Sequence, residues 1–358
     1  MEKTVLIITT RSEGISASQI RMKYLKQALE RQNYDVTDFE IDLKGLKKYL
    51  YYLRRVPSGD LIAKSKNAHL IMATSPTLIN AILAYKVARK LGAPLIIDIR
   101  DIWEEYAKTA HSLLYNIGVI KNIVKEYYEA LRYAAKIFVV TESMRRYYEN
   151  IAKAKDKVIV ISNGTDVDII KCHKSKREVD LVCLADLNRP YHNLEFLFEA
   201  LKENDLSLSV IGGGSLLAKM KEKTKTLGIA DRVSFTGWIP YENLAFHLCK
   251  AKVGIVGRPF INNTEYLYTI PVKTYDYLAA GLAVAGYGPK DSTLEEFIRE
   301  NSLGCYVSEP SSLALSNELI KLVEKSDDFR ERARNVALSF DRKKVTQKAV
   351  EIINDLMK

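Results

Sequence analysis

From residue 5 to residue 162, short unbroken runs of aliphatic and β-branched residues alternate with amphipathic stretches of helical length, and the alternation then starts again. In the first series Val5–Thr9, Leu70–Thr74, Leu95–Ile99, Ile137–Thr141 and Val158–Ser162 read as strands. A helix is predicted over Gln19–Gln32, with Ile20, Tyr24, Leu25, Ala28 and Leu29 on one face. Another is predicted over Leu78–Leu91, stopped by Gly92-Ala93-Pro94. In the second series the strands are Val179–Leu184, Leu206–Ile211, Val233–Thr236, Lys252–Val256, Ala283–Ala285 and Cys305–Val307. Runs that do not alternate apolar with polar suit strands covered on both faces, hence parallel sheets between helical layers. The expectation is an α/β chain of two doubly wound parallel-sheet domains facing across a cleft. The polar segment Asp166–Glu178 reads as the linker. The expected division is residues 1–167, residues 168–335, and a last helix at 336–358 packing back towards the first domain.

The length of 358 residues agrees with two domains at roughly 150 each. With 47% hydrophobic and 27% charged residues, the chain has the composition of a globular protein and not of a disordered or collagenous one. The longest uncharged stretch, Leu70–Tyr85, is too short and too polar to span a bilayer. No signal-peptide pattern follows Met1, so a cytoplasmic protein is expected. Cys172, Cys183, Cys249 and Cys305 are spaced by 11, 66 and 56 positions, which fits neither a metal site nor a redox motif. They are expected to be core residues or inert thiols, and the five scattered histidines give no zinc site.

Charge is unevenly shared. Residues 1–167 carry 27 Lys and Arg against 18 Asp and Glu, whereas residues 168–358 carry 27 against 26. An anionic partner held by the first domain alone is implied. Basic residues mix with aliphatic and aromatic ones in Lys44–Arg55 and again in Trp103–Lys136. Such segments suit an interfacial helix on an anionic membrane surface, unless their apolar positions face the core.

Two segments of the second half point to a nucleotide. Ile211-Gly212-Gly213-Gly214-Ser215 joins a strand to a helix predicted over Leu216–Leu227. Its glycines either admit a phosphate or simply make a tight turn. Leu217 stands where a dinucleotide fingerprint has its third glycine, which argues against a nicotinamide cofactor. In Thr269-Ile270-Pro271-Val272-Lys273-Thr274-Tyr275-Asp276-Tyr277-Leu278-Ala279-Ala280-Gly281, Pro271 suits the first turn of a helix. The first amides of that helix and Lys273 would form an anion site, and Asp276 is spaced to reach a ribose. The plainer alternative is a buried amphipathic helix with a solvated Lys and Asp.

This last segment resembles the donor-site helix of the group 1, family 4 glycosyltransferases, in the subset with a Pro-x-Lys-x-x-Asp/Glu-Tyr-x-Ala-x-Gly core. Other segments follow that family in order. Asp98-Ile99-Arg100-Asp101-Ile102-Trp103 resembles its Asp-x-Arg-Asp-x-Trp loop. Asn163-Gly164-Thr165-Asp166 resembles its interdomain turn. The triple glycine and Asp231 to Pro240 resemble its two nucleotide-side strand ends.

The resemblance implies the GT-B fold: two Rossmann-like domains, the first holding the acceptor and the second the nucleotide-sugar. It implies transfer mostly with retention, no metal and no cofactor. By the same resemblance, Asp276 would bind ribose hydroxyls, and Thr269, Ile270, Pro271, Val272, Lys273 and Thr274 would face the diphosphate. Gly237, Trp238 and Ile239 would border the base, and Gly14 would lie in a loop near the donor phosphates or the acceptor. Three departures stand out. Tyr268 occupies the position of the family's first glutamate, with Glu265 the nearest acid. His192 stands for the loop lysine, and the loop arginine is displaced to Arg189. Phosphate neutralisation would therefore fall to Arg189, Lys273 and Arg258. Asp98, Arg100 and Asp101 would take or orient the acceptor hydroxyl's proton, or else only shape their loop. The expected partners are a nucleotide-sugar donor, a glycan or lipid-linked acceptor and an anionic membrane surface at the cytoplasmic face, with no nucleic acid. A sugar-nucleotide epimerase and a non-catalytic anion- or nucleic-acid-binding protein are the alternatives.

Overall fold

The computed structural model describes residues 3–11, 17–43, 51–74, 77–110, 118–153, 155–172 and 176–358. They form two compact units, Met1–Ser162 with Lys343–Lys358, and Asn163–Arg342. In the first unit β1 (Lys3–Thr10), β2 (Tyr34–Ile41), β3 (Leu70–Thr74), β4 (Leu95–Ile99), β5 (Lys136–Val139) and β6 (Val158–Val160) pair in parallel in the order β2-β1-β3-β4-β5-β6. β3 and β4 are buried along their whole length, as unbroken apolar runs require. Val5, Ile7, Leu70, Met72, Ile96 and Phe138 pack with Met22, Leu25 and Leu29 of the first helix. The last helix, Arg342–Leu356, adds Ala349, Val350 and Ile353 to that same core.

The second unit contains β7 (Val179–Leu184), β8 (Leu208–Ile211), β9 (Val233–Gly237), β10 (Ala251–Gly257), β11 (Ala283–Tyr287) and β12 (Gly304–Val307). They are parallel, in the order β12-β11-β10-β7-β8-β9. Counting from β7, this is the Rossmann order, whose direction reverses between β7 and β10. A crevice opens beyond the strand ends at such a reversal, and ligands bind there.

The structure corrects three sequence expectations. β2 was not foreseen, because Asp35, Asp38 and Glu40 break its apolar run; it is an edge strand with alternating burial. Cys172 and Cys249 are not thiols but a disulfide, with Cα atoms 5.4 Å apart across 77 positions of sequence, so only Cys183 and Cys305 are free. The unit boundary falls at Ser162 and not at 167, because the turn after it is tied into the second unit. There the Thr165 amide donates to the Phe340 carbonyl at 3.1 Å, and the Arg342 amide donates to the Thr165 carbonyl at 2.8 Å. The helix Arg330–Ser339 likewise stays with the second unit, burying Ala333 and Ala337 there.

Candidate active site

Arg258 directly follows β10 at the reversal point, and its side chain is 2% exposed. The guanidinium carbon lies 4.2 Å from the centroid of the Tyr191 ring and 5.2 Å from that of Tyr266. Nη2 donates to Thr269 Oγ1 at 3.2 Å. Nε and Nη1 are buried with no hydrogen-bond partner among the described residues. No carboxylate of the described residues pairs with Arg258, so a full charge is held out of water on aromatic faces and one hydroxyl. A buried charge in this state is costly, and the cost is removed when an anion completes the site.

Lys273 reaches the same place from the first turn of the helix Val272–Ala279, whose N-terminus at Pro271 has no side-chain cap. Its Nζ donates to the Leu184 carbonyl at the end of β7 (2.6 Å) and lies 3.1 Å from His192 Nδ1. Burial lowers the Lys273 pKa, Cys183 opposes this, and the neighbouring Arg258 charge lowers it further. Burial likewise pushes His192 well below its ordinary value, with Lys273 and Arg258 acting in the same direction. Three nitrogen bases from three elements thus meet at the strand ends. Arg189 belongs to the same loop as His192 and is exposed.

One turn beyond Lys273, Asp276 is buried and accepts on Oδ1 from Thr165 Oγ1 at 2.8 Å and from the Tyr241 hydroxyl at 3.1 Å. Burial raises its pKa, while those two bonds and Arg342 oppose the rise. Thr165 and Tyr241 were not foreseen. Thr165 did sit in a recognisable turn, but nothing in the sequence paired it with a helix 111 positions away. Trp238 is 67% exposed at the end of β9 and faces Gly213, so an aromatic plane is open beside the glycine turn.

The glycine turn itself is shaped by the chain's own packing. Gly212 and Gly214 have φ of +134° and +147°, and a Cβ on either would sit 2.0 Å from the Ala185 oxygen or 2.4 Å from the Leu187 carbonyl carbon. The loop after β7 packs where a side chain would stand at these two positions, so both require glycine, and the Leu187 amide donates to the Gly213 carbonyl at 2.9 Å. Glu265 is half-buried on the helix Thr264–Tyr268, and its carbonyl accepts from the Thr269 hydroxyl. Ile270 and Thr274 are buried. Gly14 lies outside the described residues.

In the first unit Asp98 is the next-to-last residue of β4, fully buried, with both oxygens engaged. Arg21 donates to Oδ1 at 2.9 Å and to Oδ2 at 3.2 Å, and Thr74 Oγ1 lies 3.4 Å from Oδ2. The same guanidinium also holds the Ile161 and Ser162 carbonyls, at 2.9 and 2.7 Å. Such a carboxylate fastens β4 to the end of β6 and has no face open to an acceptor hydroxyl within this unit. Arg100 and Asp101 follow on the next loop and are half-buried; the Asp101 carbonyl accepts from the Trp103 amide at 3.0 Å.

Comparison with known proteins agrees with this picture. Residues 19–169 match the family model described as Glycosyltransferase Family 4, and residues 171–338 match Glycosyl transferases group 1. Anabaena HepE, solved in complex with UDP, is 16% identical with a TM-score of 0.71, over 99% of this chain and 100% of that one. Sucrose-phosphate synthase from Thermosynechococcus elongatus is 13% identical with a TM-score of 0.75, over 99% of each chain. The lipopolysaccharide outer core galactosyltransferase WaaB is 14% identical with a TM-score of 0.63, over 97% of this chain and 99% of that one. Curated protein sequences give no match. Two parallel six-stranded α/β units, matched along the whole chain by these structures, give the GT-B fold. With its two family matches in tandem, the chain belongs to the group 1 glycosyltransferases.

Proposed function

We propose that the second unit binds a nucleotide-diphosphate sugar at the ends of β7 and β10 and that the enzyme transfers its sugar with retention. The observation that carries this reading is Arg258, a buried guanidinium without an acidic partner beside Lys273. Together with the uncapped amides before Thr274, these cations complement a diphosphate. Asp276 would hold the ribose, and Trp238 with Ile239 would border the base. As the sugar leaves, negative charge grows on the β-phosphate. Fixed cations aimed at that oxygen lower the barrier without having to reorganise. The protein's own charges would do the work of a metal ion, so we read the transfer as metal-independent. UDP is the first nucleotide to test, given the UDP bound to HepE.

The decisive experiment is hydrolysis of a panel of UDP-, GDP- and ADP-sugars without acceptor, run with and without EDTA. One nucleotide-sugar is expected to be consumed at a rate that chelator leaves unchanged. Activity lost in EDTA and restored by manganese would overturn metal independence, and inertness towards the whole panel would overturn the donor assignment.

We also read the acceptor as a glycan or lipid-linked molecule met at an anionic membrane surface on the cytoplasmic face. No described helix is long and apolar enough to cross a membrane, so the association would be peripheral. Leu53 and Val56 are 66% and 61% exposed, with Arg54 exposed between them. The exposed Arg89 and Lys90 lie a turn beyond Lys86, whose Nζ donates to the Arg55 carbonyl at 2.8 Å. Exposed apolar side chains beside cations suit a headgroup layer, each cation contributing about 1 kcal/mol. Glu126 and Glu129, which line one cleft with Lys86, Arg89 and Lys90, offset part of it. Arg55 itself is not available, since it pairs with Glu126 at 2.6 Å. Lys44, Lys47 and Lys48 lie outside the described residues. The protein is expected to float with phosphatidylglycerol vesicles and not with phosphatidylcholine vesicles. Leu53→Glu with Val56→Glu should abolish flotation while UDP binding persists. Wild-type protein that ignores anionic vesicles would sink the proposal.

A further inference from the structure

The hydrogen bonds around His192 cannot all be made with Lys273 charged. The Asp186 amide donates to His192 Nε2 at 3.1 Å, so that nitrogen must present its lone pair. A neutral imidazole then carries its proton on Nδ1, and this N–H points at Lys273 Nζ, 3.1 Å away. An ammonium at Nζ would set hydrogen against hydrogen. A neutral amine accepts from Nδ1–H and still donates to the Leu184 carbonyl at 2.6 Å.

Among the described residues packed around the pair, no carboxylate bonds to either member. Arg258 faces it with a guanidinium. From β7, Cys183 is a buried thiol whose pKa burial raises, with Lys273 acting the other way. The Tyr277 hydroxyl donates to the Ile255 carbonyl (3.3 Å) and accepts from the Leu184 amide (2.7 Å). The Tyr287 hydroxyl meets the His192 and Asn193 carbonyls at 3.0 and 3.1 Å. Asp186 Oδ1 accepts from the amide and the side chain of Asn188 at 3.0 and 2.8 Å. Asp276, on the next turn of the Lys273 helix, is bonded to Thr165 and Tyr241.

Building on the donor-site reading, we propose that the free enzyme stores Lys273 as a neutral amine on His192 and takes up one proton from solvent when a nucleoside diphosphate binds. The diphosphate supplies the missing negative charge. Lys273 then becomes an ammonium and turns its hydrogens to phosphate oxygens, and the released Nδ1–H of His192 becomes a second donor to them. His192 is thus a positioning residue whose tautomer, fixed by the Asp186 amide, sets the protonation state of the lysine.

The test is calorimetry of UDP and GDP binding to the full chain in Tris and in HEPES at about pH 8. There the nucleotide's own last ionisation, near 6, is complete and contributes no proton. Buffers of different ionisation enthalpy then report the protons taken up. An uptake of about one-half to one proton per nucleotide is expected, falling below about 0.2 in His192→Asn or His192→Gln, whose side-chain oxygen can accept from an ammonium. Binding with no buffer dependence, or an uptake unchanged in these variants, would overturn the proton-linkage. Failure of the wild type to bind either nucleotide would overturn the donor-site reading itself, and the linkage with it.

Discussion

Arg258→Met is expected to bind UDP about 100-fold more weakly than the wild type, near 2.7 kcal/mol, while its melting temperature stays level or rises. The two effects separate because they come from different states of the site. In the free chain the guanidinium is buried with Nε and Nη1 unpaired, and its compensation is Thr269 Oγ1 and the Tyr191 and Tyr266 rings. Replacing such a charge by a flexible apolar side chain of similar reach is often neutral or stabilising by about 1–4 kcal/mol. In the bound state the same guanidinium would donate to phosphate through charge-assisted bonds, which are among the strongest a protein makes. A residue present only to hold the fold would behave otherwise, losing stability and affinity together. Calorimetry with UDP and a thermal melt of the same preparation decide it. A variant that melts lower and binds UDP normally would remove Arg258 from the donor site.

Arg258 also marks how far the site was legible. It could be named from the sequence as a cation near the right strand, but its lack of an acidic partner exists only in three dimensions. The helix Val272–Ala279 was readable because its signals are local: Pro271 at the start, Lys273 in the first turn, and small residues at the end. The strands were readable for the same reason, since a run such as Leu95–Ile99 has one way to be buried on both faces. β2 escaped because Asp35, Asp38 and Glu40, all exposed, interrupt the apolar run used to find the others. The glycine turn shows the converse, a motif legible in the sequence whose packing is not. Only the fold reveals that the Ala185–Asn188 backbone fills the space at Gly212 and Gly214. The Cys172–Cys249 bond and the Thr165–Asp276 contact join positions far apart in sequence, and no spacing rule reaches them.

Arg21→Met is expected to destabilise the first unit by about 3–5 kcal/mol, the largest loss predicted for any single substitution outside its apolar core. It strands Asp98, fully buried, with Thr74 Oγ1 at 3.4 Å its one remaining side-chain partner among the described residues, and leaves the Ile161 and Ser162 carbonyls without their donor. Asp98→Asn in the same chain removes the stranded charge and should recover more than half of the loss. Chemical denaturation of the two single variants and the double gives the coupling directly. The same series separates two roles for Asp98. A carboxylate that only ties β4 to the end of β6 can become an amide, in the double variant, with turnover per folded molecule within about tenfold of wild type and an unshifted pH profile. A carboxylate that takes the acceptor hydroxyl's proton cannot, and its loss would cost about 100- to 10,000-fold in turnover with stability restored. The bidentate clasp of Arg21 and the absence of an open face on Asp98 within its unit favour the first outcome. A collapse of turnover in the stable double variant would return Asp98 to the chemistry, and the Arg21 clasp would then be what holds a catalytic base in place.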